Sequence, residues 1–254
     1  EPAYMTGEGR SRADIGLPGL QLELLQEIYS VNKNIVLVLM NGRPLTLSWE
    51  NEHIPAIVEA WHLGSNAGNA IAKVLKGEHN PSGKLTMSFP KHVGQLPIYY
   101  NYKTTGRPNS SPNQVFYTHH TDIDNFPLYP FGYGLSYTSF EYSEITLSSD
   151  SLNSKNSIKA SVKITNSGNY DGDEVVQMYI TDDYSSVTLP NKELKGFKKI
   201  NLKKGETKTV TFEINSNLLS FYNNAEVLIS EPGTFTIKIG PNSKTENSAK
   251  FELQ

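Results

Sequence analysis

Residues 125–140 divide this chain into two stretches with different hydrophobic rhythms, and no other feature narrows its possible folds as much. Ahead of the divide, helical and strand-like segments alternate. Leu20, Leu24, Leu25 and Ile28 recur at helical spacing just behind Pro18, which suits a first helical turn. Within residues 34–40 (NIVLVLM), residues 35–40 form an unbroken apolar run of strand length, the mark of a strand covered on both faces. A shorter run follows at residues 57–61 (IVEAW). Residues 64–76 then carry Ala67, Ala70, Ile71, Val74 and Leu75, a helix that Gly77 closes. Residues 85–89 read as a third strand, opened by the turn Asn80-Pro81-Ser82-Gly83. Strand, helix, strand in this order predicts a partial parallel α/β layer with helices on its faces.

Beyond the divide the period drops to two. Residues 158–164, 174–180, 207–214 and 234–239 alternate as half-buried strands, with turn signals at Asn166-Ser167-Gly168, Lys204-Gly205 and Pro232-Gly233 between them. The stretch matches one fibronectin-III or immunoglobulin-like sandwich, a unit of ~100 residues. The expected fold class is therefore α/β followed by all-β, with an α/β part over residues 1–137 and a β-sandwich over 138–254. Residues 94–133 lack periodicity and hold Tyr99, Tyr100, Tyr102 and Tyr117 beside Arg107, His119 and His120. Long aperiodic tracts in compact proteins are functional or disordered. These rings either line a binding site, with Tyr117 among them, or cement the two parts together.

Composition removes several function classes. A net charge of -3 over 254 residues leaves no electrostatic footprint for nucleic acid. The longest apolar run is far shorter than the ~20 residues that cross a bilayer, so neither nucleic acid nor membrane is an expected partner. The absence of cysteine rules out disulfides, thiolate metal ligands and a cysteine nucleophile. His119-His120 has no third ligand at metal spacing, and no metal is expected. Gly64-Ser65-Asn66-Ala67-Gly68-Asn69-Ala70 lacks the Lys-Ser/Thr ending of a phosphate loop, and no Gly-x-Ser-x-Gly elbow is present. No cofactor is called for.

The chemistry gathers near the start, in Gly7-Glu8-Gly9-Arg10-Ser11-Arg12-Ala13-Asp14. Flanking glycines let the backbone swing a carboxylate into a site that bulkier neighbours would block, which makes Glu8 a candidate general acid/base. Ligands of an open parallel sheet sit beyond the carboxyl ends of its strands. Those ends are Asn41-Gly42-Arg43 and His62-Leu63-Gly64, and the residue 7–14 loop enters its helix from the same side. Glu8, Asn41, Arg43 and His62 are thus expected on one edge, the last three as candidate substrate-binding residues. The plainer reading is a solvated carboxylate, a surface charge and a helix-start histidine, and periodicity alone favours it. Arg10 and Arg12 would hold a carboxylate ionised, so an acid at Glu8 requires them to point aside, with Arg12 free to pair with Asp14.

Longer motifs sharpen this picture. Gly7-Glu8-Gly9-Arg10-Ser11-Arg12-Ala13-Asp14-Ile15-Gly16-Leu17-Pro18-Gly19, Leu37-Val38-Leu39-Met40-Asn41-Gly42-Arg43-Pro44-Leu45, Asn80-Pro81-Ser82-Gly83-Lys84-Leu85 and Tyr129-Pro130-Phe131-Gly132-Tyr133-Gly134-Leu135-Ser136-Tyr137 follow in order. Together they resemble the C-terminal half of glycoside hydrolase family 3 enzymes of the periplasmic bacterial β-glucosidase type. Leu194-Lys195-Gly196-Phe197, Lys204-Gly205-Glu206 and Thr209-Val210 resemble the fibronectin-III-like domain that ends many of them. The likeness runs over essentially the whole chain.

The resemblance implies a retaining, exo-acting β-glycosidase whose nucleophilic aspartate lies on an N-terminal barrel. By motif position its general acid/base maps onto Glu8, with Glu1 as second choice. The barrel and the first part of the α/β sandwich have no counterpart in these residues, so the resemblance implies a fragment or subunit of the enzyme. Its expected partners are a β-glucoside or oligosaccharide and the barrel domain or chain, in a periplasmic or secreted setting. A β-xylosidase of the same family and a non-catalytic glycan-binding or scaffold module are the alternatives.

Overall fold

A computed structural model describes residues 5, 7–104, 106, 107 and 118–254. Two compact units emerge: residues 1–79, 87–98 and 125–130 form the first, and residues 80–86, 99–124 and 131–254 the second.

The first unit runs α1 (Gln21–Val31), β1 (Val36–Leu39), α2 (Ser48–His53), β2 (Ala56–Glu59) and α3 (Ala67–Leu75). β1 and β2 pair in parallel, Val36 opposite Ala56 and Leu39 opposite Glu59. Pro18 accepts from the Gln21 N–H ahead of α1. Gly77, at φ +72°, ends α3 as its spacing predicts. The core is small: Leu25, Leu39, Leu45, Leu47, Ile54 and Phe89 are its large buried side chains besides Ile15. α1 buries only Leu25, and α3 buries nothing despite its apolar stripe. Leu20, Leu24, Ile28 and Val31 of the α1 region stay exposed. An apolar groove of about 260 Å³ runs between α1 and β1, lined among others by Leu17, Leu24, Ile28, Val38 and Met40.

Residues 85–89 do not join this sheet as a third strand. Leu85 exchanges backbone hydrogen bonds with Tyr133 and Gly132, and Phe89 forms an isolated antiparallel bridge with Tyr129. Of the run, Ser88 and Phe89 are buried while Met87 is 52% exposed, too little apolar cover for a strand flanked on both faces.

The second unit is the sandwich. β3 (Phe140–Tyr142), β4 (Thr146–Leu147), β5 (Ser151–Leu152), β6 (Ser157–Asn166), β7 (Gly172–Asp182), β8 (Glu193–Leu202), β9 (Thr207–Asn215), β10 (Phe221–Tyr222), β11 (Leu228–Ile229), β12 (Gly233–Gly240) and β13 (Ser248–Leu253) follow in order. One sheet reads β5-β13-β12-β7-β8; in the other, β6 is central, with β9 along one edge and β3 then β4 along the other. Inward residues of both sheets make one continuous core, including Ile158, Ile164, Val176, Met178, Ile214, Phe235 and Ile237. All four alternating segments of the sequence are strands here. β8, at the edge of its sheet, escapes that pattern because Phe197 is exposed and Lys198 lies over the Phe212 ring where an apolar residue would alternate; a bulge at Lys195, between Gly196 facing Met178 and Leu194 facing Tyr179, adds one residue near its start.

Short flanking segments complete this unit. The Lys84 ammonium lies 3.1 Å from the Glu174 carboxylate and donates to the Gly134 carbonyl, and the Tyr142 hydroxyl donates to Glu174 at 2.8 Å. Glu174 is 3% exposed, and burial together with its charge pushes the Tyr142 hydroxyl pKa upward. On the outer face of the β7 sheet, the Tyr100 ring stacks on Phe131 at 4.3 Å and meets Tyr179 edge-on. The Tyr100 hydroxyl also accepts from the Leu194 N–H. Gly132, at φ +80°, lies so near Gln177 that an added Cβ would stand 2.0 Å from its amide oxygen.

Candidate active-site edge

The residue 7–14 loop begins as a tight turn. The Arg10 N–H donates to the Gly7 carbonyl at 3.2 Å, which places Glu8 and Gly9 at the two central positions. Gly9 takes φ +70°, the left-handed value that the second central position of such a turn requires and glycine supplies most readily. Glu8 therefore sits at the tip, with an exposed side chain. Further on, Arg12 donates to the Gly16 carbonyl at 3.0 Å and Asp14 accepts from the Gly16 N–H at 2.8 Å. Both bonds fall on the same backbone residue, which stiffens the loop. The Thr46 N–H donates to the Ile15 carbonyl, and Ile15 is buried, so the loop is fastened to the strand-to-helix connection as it leaves.

The strand ends carry a second cluster. Asn41 is 2% exposed, and its amide nitrogen donates to the Arg43 carbonyl at 2.8 Å and to the Glu59 carboxylate at 3.3 Å. The Arg43 guanidinium donates to the Met5 carbonyl at 3.1 Å, three residues ahead of Glu8 in the chain. Glu59 closes β2 and accepts from the Trp61 N–H at 2.9 Å. Trp61 holds φ +48°, a left-handed conformation that costs a non-glycine residue about 1–3 kcal/mol. The Glu59 bond and the edge-on contact of the Trp61 ring with Phe89 at 5.8 Å hold it there.

Of the expected site residues, Asn41 and Arg43 come together, and Arg43 reaches the segment that leads into Glu8. His62 follows Trp61 and is exposed. Tyr117 and Glu1 lie outside the described residues. Tyr99 and Tyr102 are 63% and 54% exposed, whereas Tyr100 is committed to packing on the sandwich. Glu59 and Trp61 were missed by sequence reasoning. The available signal was a lone acidic residue inside the apolar run at residues 57–61, a place where a carboxylate needs a reason.

One further buried carboxyl belongs to α2. Glu50 of α2 is 2% exposed and its Oε1 has no hydrogen-bond partner. Burial raises its pKa above 4.5, against a weaker downward pull from its own backbone N–H.

The structure is an α/β unit with a carboxylate-bearing turn near its parallel strand pair in sequence order, followed by a β-sandwich, and comparison with known proteins gives its family. The glycosyl hydrolase family 3 C-terminal domain matches residues 1–137, and a fibronectin type III-like domain matches residues 174–243. The chain belongs to glycosyl hydrolase family 3. It is 47% identical over 254 residues to the periplasmic β-glucosidase of Salmonella typhimurium, covering 100% of this chain and 33% of that protein. It is 46% identical over 250 residues to a β-xylosidase of Formosa agariphila, covering 97% of this chain and 33% of the relative. The crystal structure of a β-glucosidase from Listeria innocua in complex with gluconolactone superposes with a TM-score of 0.92 at 41% identity, over 97% of this chain and 34% of that one. The chain thus spans about a third of the length of the relatives it matches.

Proposed function

We propose that this chain is the C-terminal portion of a retaining, exo-acting β-glucosidase that releases terminal non-reducing β-D-glucosyl residues, with Glu8 as its general acid/base. The carrying observation is the glycine-flanked turn that presents Glu8 at its tip, anchored on one side through Met5 and Arg43 and on the other through Gly16. Relatives named β-glucosidases, one of them periplasmic, support the substrate class and a periplasmic or secreted setting. The near-equal identity to a β-xylosidase keeps a pentosyl substrate as the second reading.

Retaining hydrolysis needs two carboxyl groups about 5–5.5 Å apart. In this reading an aspartate on the preceding barrel attacks the anomeric carbon while Glu8 delivers its proton to the departing glycosidic oxygen. The resulting carboxylate of Glu8 then takes a proton from water as that water attacks the anomeric carbon and displaces the aspartate carboxylate, and both groups return to their starting states.

The test is Glu8→Gln in the full-length enzyme, beside Glu1→Gln. Turnover of a glucoside with an alkyl or sugar leaving group should fall roughly 100- to 10,000-fold. Turnover of a dinitrophenyl β-glucoside, which departs without a proton, should fall far less in its glycosylation step, and azide should restore turnover as glucosyl azide. Equal losses on both substrates without azide rescue would remove the role from Glu8; the same signature in Glu1→Gln would transfer it there.

A further inference from the structure

The geometry points to Glu59 as a positioning residue for the acid/base loop, an inference that rests on the functional reading above and deepens it. Glu59 stands where β2 ends, and its two carboxylate oxygens serve different masters. Oε1 accepts from the Trp61 N–H and fixes the left-handed turn by which the chain leaves the sheet. Oε2 accepts from Asn41, which is buried where β1 ends and whose same nitrogen holds the Arg43 carbonyl. Arg43 in turn donates to the Met5 carbonyl. An unbroken relay therefore runs from Trp61 through Glu59, Asn41 and Arg43 to Met5.

Met5 lies three residues ahead of Glu8 in the chain, so the relay sets the approach of the turn that presents Glu8. The network is polar and occupies the carboxyl ends of both parallel strands, where open α/β sheets place their ligands. A backbone held in a costly conformation at such an edge marks a position that must not drift. An amide cannot replace this carboxylate. Its single oxygen could keep the Trp61 or the Asn41 bond, and its NH2 would then face the other donor.

Glu59→Gln in the full-length enzyme tests this, with Arg43→Lys as the second variant in case the first does not fold. For both, turnover of an alkyl or cellobiose-type glucoside should fall roughly 10- to 100-fold, the penalty of misplacing a reacting group by about 1 Å. The loss should lie in kcat rather than KM, and glycosylation by the dinitrophenyl glucoside should change less than about threefold. The leaving-group dependence should steepen, with the melting temperature held within a few degrees. Equal losses on both substrates, or no loss in either variant, would overturn the assignment. A rise in KM for both substrates in Arg43→Lys would make Arg43 a direct substrate contact and overturn the relay as well. Failure of the functional reading shows separately, as wild-type leaving-group behaviour in both Glu8→Gln and Glu1→Gln, and this inference would fall with it.

Discussion

α3 and β6 carry equally clear amphipathic patterns, and their fates differ completely. β6 buries Ile158, Ala160, Val162 and Ile164 to 1% exposure or less, because a second sheet lies across its inner face. α3 buries none of its nine residues. The same contrast separates the units: the sandwich closes one continuous core, while the α/β unit pairs only two strands among its described residues and leaves α1 and the groove beside β1 open. An amphipathic pattern specifies which face wants cover. It does not supply the cover.

Paired core substitutions put that comparison at greatest risk. Phe235→Ala, in the sandwich core at 2% exposure, should cost the isolated chain about 4 kcal/mol in chemical denaturation. Leu24→Ala, at 60% exposure on α1, should change stability by less than about 0.5 kcal/mol in the same chain. In the full-length enzyme, Leu24→Ala should rise to about 2 kcal/mol or more if the preceding region covers α1. Equal costs in the isolated chain would show that the α/β face is already closed.

Next comes the polar anchor of the sandwich unit. Glu174→Ala strands the Lys84 ammonium, whose side chain is 12% exposed, and the Tyr142 hydroxyl in a buried pocket. Removing one partner of a buried pair should cost about 3 kcal/mol. A loss under 1 kcal/mol would mean that water reaches Lys84 and that residues 80–86 are only loosely held to the sandwich.

The smallest effect concerns pH and belongs to the open unit. The folded-state pKa of Glu50 is raised above 4.5, so its contribution to stability is fully present below that pH and is lost as pH climbs through the raised value. Glu50→Gln should remove that decline and stabilise the unit near neutrality by about 1 kcal/mol, read from stability measured between pH 4 and 8. A pH slope unchanged by the substitution would show that Glu50 is solvated.

Much of the architecture was legible because periodicity is a local signal. The parallel pair, the helices around residues 21–31 and 67–75, and four long strands of the sandwich follow from spacing alone. β8 was hidden because this edge strand exposes Phe197 and sets Lys198 over the Phe212 ring, so its residue types do not alternate even where its register is regular. The run at residues 85–89 has strand-like residues but finds its hydrogen bonds with residues 129–133, a pairing that nothing within the run announces. At the candidate site, the glycine-flanked carboxylate and the strand-end Asn41 and Arg43 stood out as residue types in suggestive places.

Sequence by itself determined the change of class along the chain, the family it belongs to and the turn that exposes Glu8, because these depend on neighbours a few residues apart and on ordered motifs. Tertiary structure decided what those residues touch. Only folding brings Glu59 beside Asn41, eighteen positions away, and sets the Arg43 guanidinium on the Met5 carbonyl, thirty-eight positions away. Hydrogen bonds are satisfied by whatever lies within about 3.5 Å, and chain separation says little about that distance once strands have paired.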